Sequence, residues 1–286
     1  MRTKLSVFLG TDFITVDVLQ PRNEGGRRSV GKRFLAYLQG DKGANYQIHK
    51  SIRLQGSTGH QGLALLFAKA LEALKAEQHL VLETSELELI LGASHARVGL
   101  LEIQSDATSQ LSQEDRRLHV NAWVSQVWGM DPLDCVVRSL LIDDGDKTLV
   151  TCIESHVVDS VTVLCAQEGI RFTSCMPALV AYITESPTRA AAGERGAGAE
   201  VLVATERCFD GQRASVVQFV VLDQNLPLSV TRMWLPPSTQ QAGEAELQGV
   251  VERLRLQHPQ IGNPEVRVVA FPKLANSGSA SSQERT

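Results

Sequence analysis

Aromatic side chains are scarce in this chain of 286 residues, at 5% of the total, so its core has to be built from aliphatics. Apolar runs are short as well. None reaches the ~18 consecutive apolar residues that mark a membrane-crossing helix. The opening MRTKLSVFLGTDFITVDVL has too brief an apolar run for a signal peptide and passes into strand-like alternation, so a cytoplasmic location is expected. The cysteines, at 135, 152, 165, 175 and 208, form no CxxC pair, which excludes a zinc ribbon. Most lie in apolar segments and read as small buried hydrophobes of a reducing compartment; a nucleophilic cysteine would need a base beside it, and none is in evidence. No basic field exists either: the net charge is −4, which argues against a dedicated nucleic-acid binder. The histidines show no HxxxH spacing and Gly-x-Ser-x-Gly is absent, so neither a zinc-peptidase helix nor a nucleophile elbow is present.

What is present is a hydrophobic content of 43%, enough for a buried core, and a length that suits two domains or one large one. Lys4–Leu9 and Phe13–Leu19 alternate as strands around Gly10-Thr11-Asp12, a tight hairpin. A Gly- and Arg-rich loop follows, then a third strand expected at Arg33–Gln39 and a further segment at Gln47–Leu54. The spacing of Leu63, Leu66, Ala70, Leu71 and Leu74 predicts a helix over about 62–77, and Leu87–Leu91 reads as a strand that stops at Gly92. Near the C-terminus, Val201–Glu206, Ser215–Leu222 and Leu228–Trp234 read as strands, Thr239–Gln257 as a helix and Val266–Ala270 as a last strand. The two ends therefore echo each other: three strands, a helix, a strand. Ser186–Glu200 reads as a flexible surface excursion and 274–286 as a polar tail.

Between these ends lies the most informative stretch, 98–183. Ser112-Gln-Glu-Asp115 opens a helix with a capping box, and Val120, Trp123, Val124 and Val127 form its apolar stripe. Gly129 and Asp131-Pro132 stop it. Strands follow at Cys135–Ile142 and Thr148–Ile153 around Asp144-Gly145, then a helix over about 155–168 ended by Gly169, a strand at Ile170–Ser174 and a short helix at Ala178–Ile183 after Pro177. This order, ending in Gln-Glu-Gly-Ile before a strand and short helix, resembles the actin-like PilM and GspL proteins of type IV pilus and type II secretion machines.

The resemblance implies an α/β actin-like fold of two ribonuclease H-like halves with an inserted small α+β subdomain. The parts are expected at 1–97 for the first half, 98–145 for the insert and 146–273 for the second half. It further implies a cytoplasmic scaffold peripheral to the inner membrane, touching the membrane only indirectly. Its partner would be the short cytoplasmic N-terminal tail of a single-pass inner-membrane assembly protein, with an assembly ATPase and self-association as further contacts.

ATP-binding members of the actin-like superfold carry two phosphate hairpins, the first reading Asp-Ile-Gly-Ser/Thr. Aligning Gly10-Thr11 to it puts Phe8 at the aspartate, where a phenyl ring cannot hold a hydrated magnesium ion, and Thr15 where such proteins often carry lysine. Asp210-Gly211 is the candidate for the second hairpin and reads as a plain turn. Leu235-Pro-Pro-Ser stands where glycines would approach adenosine, and its prolines remove two amide donors. Gly10, Thr11, Asp12, Asp210 and Gly211 are thus expected to be vestigial phosphate-loop positions, with no cofactor, no metal and no catalytic residue. The alternative is an actin-like ATPase or sugar kinase with Asp12 or Asp210 on the metal side. Two further motifs read as ordinary structure: Asp143-Asp144-Asp146 as a solvated turn, and Gly56-Ser-Thr-Gly59 as a loop before a helix, with anion binding there as the alternative. The groove for a partner is expected near Leu5–Leu19 and Leu63–Leu74.

Overall fold

A computed structural model describes residues 3–21, 46–76, 82, 85–102, 112–142, 147–183, 199–207, 214–223, 226–234, 240–259, 262 and 264–271. The expected strand at Arg33–Gln39, the turns at Asp143–Asp146 and Asp210-Gly211, the Leu235-Pro-Pro-Ser stretch, most of Ser186–Glu200 and the tail 274–286 lie outside the described residues.

The first sheet grows from β1 (Lys4–Leu9), β2 (Phe13–Pro21) and β3 (Tyr46–Gln55), an antiparallel meander with Leu9 opposite Ile14 and Phe13 opposite Gln55. Every residue of β1 is buried, because helices or other apolar elements cover both faces of the sheet. Leu5, Val7 and Leu9 face one core; Phe8 faces another. Helix α1 (His60–Lys75) brings Leu63, Phe67, Ala70, Leu71 and Leu74 onto the first of these cores, as its spacing predicts. It returns the chain to β4 (Glu86–Leu91), parallel to β1. Lys4 Nζ and Glu88 Oε1 pair at 2.5 Å across β1 and β4, both nearly buried; losing one partner would leave the other charge uncompensated.

The chain then leaves the sheet. β5 (Ala96–Glu102), α2 (Gln113–Trp128), β6 (Cys135–Ile142) and β7 (Lys147–Glu154) form a separate unit, with strand order β5-β7-β6 and α2 on one face. The capping box of α2 is present in full: Asp115 N–H donates to Ser112 Oγ at 3.1 Å, and Ser112 N–H donates to Asp115 Oδ2 at 3.3 Å. Gly129 ends the helix at φ 64°, where a side chain would be strained. Val120 and Val124 are buried as the stripe predicts, but Val127 is half exposed and stands outside their cluster.

Helix α3 (Ser155–Gln167) and β8 (Arg171–Pro177) return to the first sheet, where α3 puts Val157, Val161 and Cys165 beside α1 and β8 runs parallel to β4. The sheet order is β3-β2-β1-β4-β8. The short helix α4 (Ala178–Ile183) crosses to the second sheet, made of β9 (Glu200–Arg207), β10 (Ala214–Asp223), β11 (Leu226–Trp234), α5 (Gln240–Gln257) and β12 (Glu265–Phe271). Its order, β11-β10-β9-β12, repeats β3-β2-β1-β4. The two sheets meet in one core, where Phe8, Phe13 and Ile90 pack with Ala178 and Leu179 of α4 and with Leu202, Ala204 and Val220.

Strand pairing therefore divides the chain differently from the expected breaks at 98 and 146. The insert already begins with β5 and keeps β7, while α3 and β8 belong to the first sheet. The periodicity of 98–183 shows where strands and helices are. It does not show which neighbour each strand bonds to, since the same alternation suits any sheet.

Within the insert, Gly99 on β5 lies under a Trp123–Trp128 edge-to-face pair, ring centroids 4.7 Å apart. A Cβ at this position would stand 2.6 Å from Trp123 Cη2 and 2.9 Å from Trp128 Cζ2. Gly99→Ala is expected to cost about 1–3 kcal/mol by overpacking. A lowered denaturation midpoint together with a shift in tryptophan emission would register it; an unchanged midpoint would show that the rings move aside freely.

Candidate functional site

The site lies where the two sheets face each other, at the C-terminal ends of β1, β4 and β9. The hairpin between β1 and β2 is closed by Gly10 N–H donating to Phe13 O at 2.9 Å, and a Cβ on Gly10 would stand 2.4 Å from the Phe13 ring, so only glycine fits. After β4, Gly92 N–H donates to Leu9 O at 2.8 Å, which ties the turn at 92–95 to the hairpin. Gly56 N–H donates to Asp12 O at 3.0 Å, which ties in the loop after β3. Three first-half loops are thus held at one point by backbone bonds.

Into that point comes Glu206, from the end of β9 in the second half, with 2% of its surface exposed. Thr11 Oγ1 donates to its Oε1 at 2.7 Å and Ser94 Oγ donates to the same oxygen at 3.0 Å. Ser94 N–H reaches Oε2 at 3.3 Å. Hydrogen bonds to a carboxylate are among the strong ones in proteins, and the low dielectric of a buried site strengthens them further. A Cβ at Gly92 would fall 2.4 Å from Glu206 Oε2, so glycine here makes room for the carboxylate.

Behind this cluster His95 is half-buried. Its Nε2 lies 2.9 Å from Gly10 O and 3.1 Å from Thr58 Oγ1, and Thr58 gives its own proton to Thr11 O at 2.6 Å. With that proton spent, the network assigns the ring proton to Nε2, donating to Gly10. Burial pushes the His95 imidazole below its ordinary range; the bond to Gly10 and the charges of Glu206 and Glu154 pull it up in part, and His156 adds to the lowering.

A groove of about 540 Å³ opens beside the cluster, lined by Thr11, Asp12, Gln55, Gly56, Ser57, Thr58 and Gly59. The Gly56–Gly59 loop precedes α1 as expected, and Gly59, its N-cap, makes no side-chain cap bond.

Of the residues singled out in the sequence, Gly10, Thr11 and Asp12 come together at the mouth of this site, while Asp210 and Gly211 are outside the described residues. Phe8 points into the core between the sheets, stacked on Phe13 with centroids 5.8 Å apart, so the position matched to a metal-side aspartate is occupied by hydrocarbon. Among the described residues no three His, Cys, Asp or Glu side chains gather where they could hold a metal ion. Of the region expected near Leu5–Leu19 and Leu63–Leu74 to receive a partner, the apolar side chains Leu5, Val7, Leu9, Leu63, Leu71 and Leu74 are core, Leu65 is exposed, and Thr11 and Asp12 line the groove. Sequence reasoning missed Glu206, Ser94 and His95, and read Thr58 only as part of the Gly56-Ser-Thr-Gly59 loop. The one available signal was an acid at the end of the apolar run VLVAT, where a strand end facing water would be the ordinary explanation.

No family model matches the sequence, and no curated protein matches it. Among solved structures, the chain is similar to a protein of actin-like ATPase fold and unknown function from Bacteroides thetaiotaomicron, at TM-score 0.51 and 10% identity over 96% of this chain and 84% of that one. It is also similar to the PilM–PilN type IV pilus biogenesis complex, at TM-score 0.53 and 11% identity over 94% of this chain and 81% of that one. At such identities the likeness concerns fold. The chain has the actin-like fold, shared with PilM: two ribonuclease H-like halves facing across a cleft, with the β5-β7-β6 unit inserted into the first.

Two outcomes are expected of this cluster. Glu206→Ala removes the acceptor of Thr11 and Ser94 and should cost about 1–3 kcal/mol. Inorganic phosphate should then raise the melting temperature of the variant and leave that of the unaltered chain unmoved. Equal responses of the two would show that Glu206 does not fill an anion site. The second outcome concerns pH. Because folding holds His95 neutral, the unfolded chain binds the proton more readily. Stability from this group is therefore fully present above the unfolded value of about 6.5 and is lost as pH falls from there through the lowered folded value. Urea midpoints measured across that range should show the fall, and His95→Gln should flatten it.

Proposed function

We propose that this protein is a non-enzymatic scaffold of an inner-membrane assembly platform of the type IV pilus or type II secretion kind, and that it binds the cytoplasmic tail of a membrane partner. The observation that carries this reading is Glu206. In an actin-like molecule that uses ATP, the nucleotide phosphates bridge the two halves between their first hairpins. Here a side chain of the protein itself makes the bridge, offering carboxylate oxygens to Thr11 and Ser94. A phosphate brought to the same donors would meet that charge at close range. With Phe8 in place of a metal-side carboxylate, the cleft supplies structure and not hydrolysis.

The partner side of the reading is supported by the shared fold with PilM, whose structure is a complex with PilN. Among the described residues no helix is long and apolar enough to cross a membrane, which suits recruitment through a membrane partner, peripheral to the inner membrane. An assembly ATPase is a further candidate partner.

A second reading, an actin-like ATPase or sugar kinase, is favoured by one feature: the groove of about 540 Å³ beside the hairpin, with Asp12 on its wall. Thermal-shift titration with Mg-ATP separates the two, since a ligand that binds only the folded state must raise the melting temperature. No shift with Mg-ATP, together with saturable binding of a membrane-protein tail peptide by calorimetry, is the expected result. A rise of several degrees with Mg-ATP would favour the enzyme, and failure of cytoplasmic tail peptides of single-pass inner-membrane assembly proteins to bind would remove the scaffold role.

A further inference from the structure

Three sulfur atoms gather in the insert, at the end where β5 and β6 begin and β7 finishes. Across β6 and β7, Cys135 pairs with Glu154 and Val137 with Cys152. The two cysteines are therefore diagonal neighbours on one face of the sheet, the face that α2 covers. Their thiols make a side-chain hydrogen bond. Met130, in the turn from α2 to β6, brings its Sδ to 3.8 Å from Cys152 Sγ. That turn is held at both ends: Ser125 Oγ donates to Met130 O at 3.2 Å, and Leu133 N–H donates to Asp131 Oδ1 at 2.9 Å. Cys152 is fully buried, while Met130 and Cys135 are half-buried, so an ion can reach the group from solvent.

The spacing suits a shared ion. Metal–sulfur bonds of about 2.3 Å, the length found for zinc, put two sulfurs of a trigonal site about 4 Å apart. A disulfide suits it less well: diagonal neighbours in an antiparallel pair have Cα atoms about 7–8 Å apart, and a disulfide reaches about 7 Å. The donor set decides which ion. Structural zinc takes four ligands and an iron–sulfur cluster four thiolates. Among the described residues no third His, Cys, Asp or Glu joins the two thiols in a metal-holding group. Two thiols and a thioether are soft donors, which select Cu(I). Arg97 supplies the charge such a site lacks. It pairs with Cys152 across β5 and β7 on the same face, and its Nη1 is buried with no hydrogen-bond partner.

We propose that Cys135, Cys152 and Met130 bind one Cu(I) ion. Burial pushes the Cys152 thiol up to about 12 and the Cys135 thiol up as well, so both carry protons at neutral pH. The ion displaces these two protons to water and forms two thiolate bonds and one thioether bond, with no change of oxidation state. Two thiolates around Cu(I) leave a single net negative charge. Arg97 faces that charge, and Glu154, Asp134 and Asp131 are the acids around it. The site lies in the insert and does not depend on what the cleft does.

The test is competition for Cu(I) between the full reduced chain and a coloured Cu(I) chelator, bicinchoninate, without oxygen. The unaltered chain should bleach the chelator until it holds one Cu(I), and the bound ion should raise its melting temperature. Cys135→Ser should weaken binding by more than about 100-fold, beyond the loss of about 10–100-fold that follows from removing a mere supporting contact. Met130→Leu, which nearly conserves volume, should weaken it by about 10-fold. It keeps the test open if a cysteine variant fails to fold. Cys165→Ala, in another core, should bind as the unaltered chain does. A chelator that keeps its copper overturns the proposal. So does equal binding by Cys135→Ser or Met130→Leu, loss of binding in Cys165→Ala, or Zn(II) retained through gel filtration as firmly as Cu(I).

Discussion

A carboxylate placed where two halves of a molecule face each other is the constraint from which the rest of this structure is best understood. Glu206 is buried, and burying a charge is costly unless hydrogen bonds surround it. Thr11 and Ser94 provide them, and both belong to the opposite half. Their positions depend in turn on Gly10 and Gly92, whose missing side chains let the hairpin close and the carboxylate approach. The charge is therefore satisfied only when the halves are in their observed relation.

Beneath the cluster runs the core shared by both sheets. Phe8 and Phe13 on one side and Leu202, Ala204 and Val220 on the other enclose α4, so the polar bridge sits on an apolar floor that excludes water. The floor explains why Phe8 can occupy a position matched to a metal-side acid without leaving a void. It also explains why the hydrogen bonds above it are strong, since a low local dielectric favours paired polar groups and penalises unpaired ones. His95 and Thr58 extend the same network into the loop before α1.

The halves repeat an arrangement without repeating a sequence. In each, a meander of three strands feeds a helix that returns to a fourth strand parallel to the first. The first half continues through α3 and β8, and the insert enters between β4 and α3, at one end of the sheet where it disturbs no ladder. Its own core of Val120, Val124, Val150 and Cys152 is small, and the tryptophan pair over Gly99 supplies much of its bulk in a chain otherwise poor in aromatics.

Much of this was legible in local pattern. The helical spacing of Leu63, Leu66, Ala70, Leu71 and Leu74, the capping box at Ser112 and Asp115, and the left-handed glycines at 129 and 169 each act within a few residues, and each was found where the sequence put it. The echo of three strands, a helix and a strand is present too, with Tyr46–Gln55 as the third strand of the first half, whereas the expected Arg33–Gln39 lies outside the described residues. Sequence alone determined these elements because propensity, capping and periodicity are short-range properties. Only the tertiary structure decided that β7 belongs to the insert and β8 to the first sheet, because strand alternation is the same whichever neighbour is bonded. It alone brought Glu206 to Thr11, 195 positions away in sequence, since no local rule shows that the acid ending one half's first strand will face the hairpin of the other.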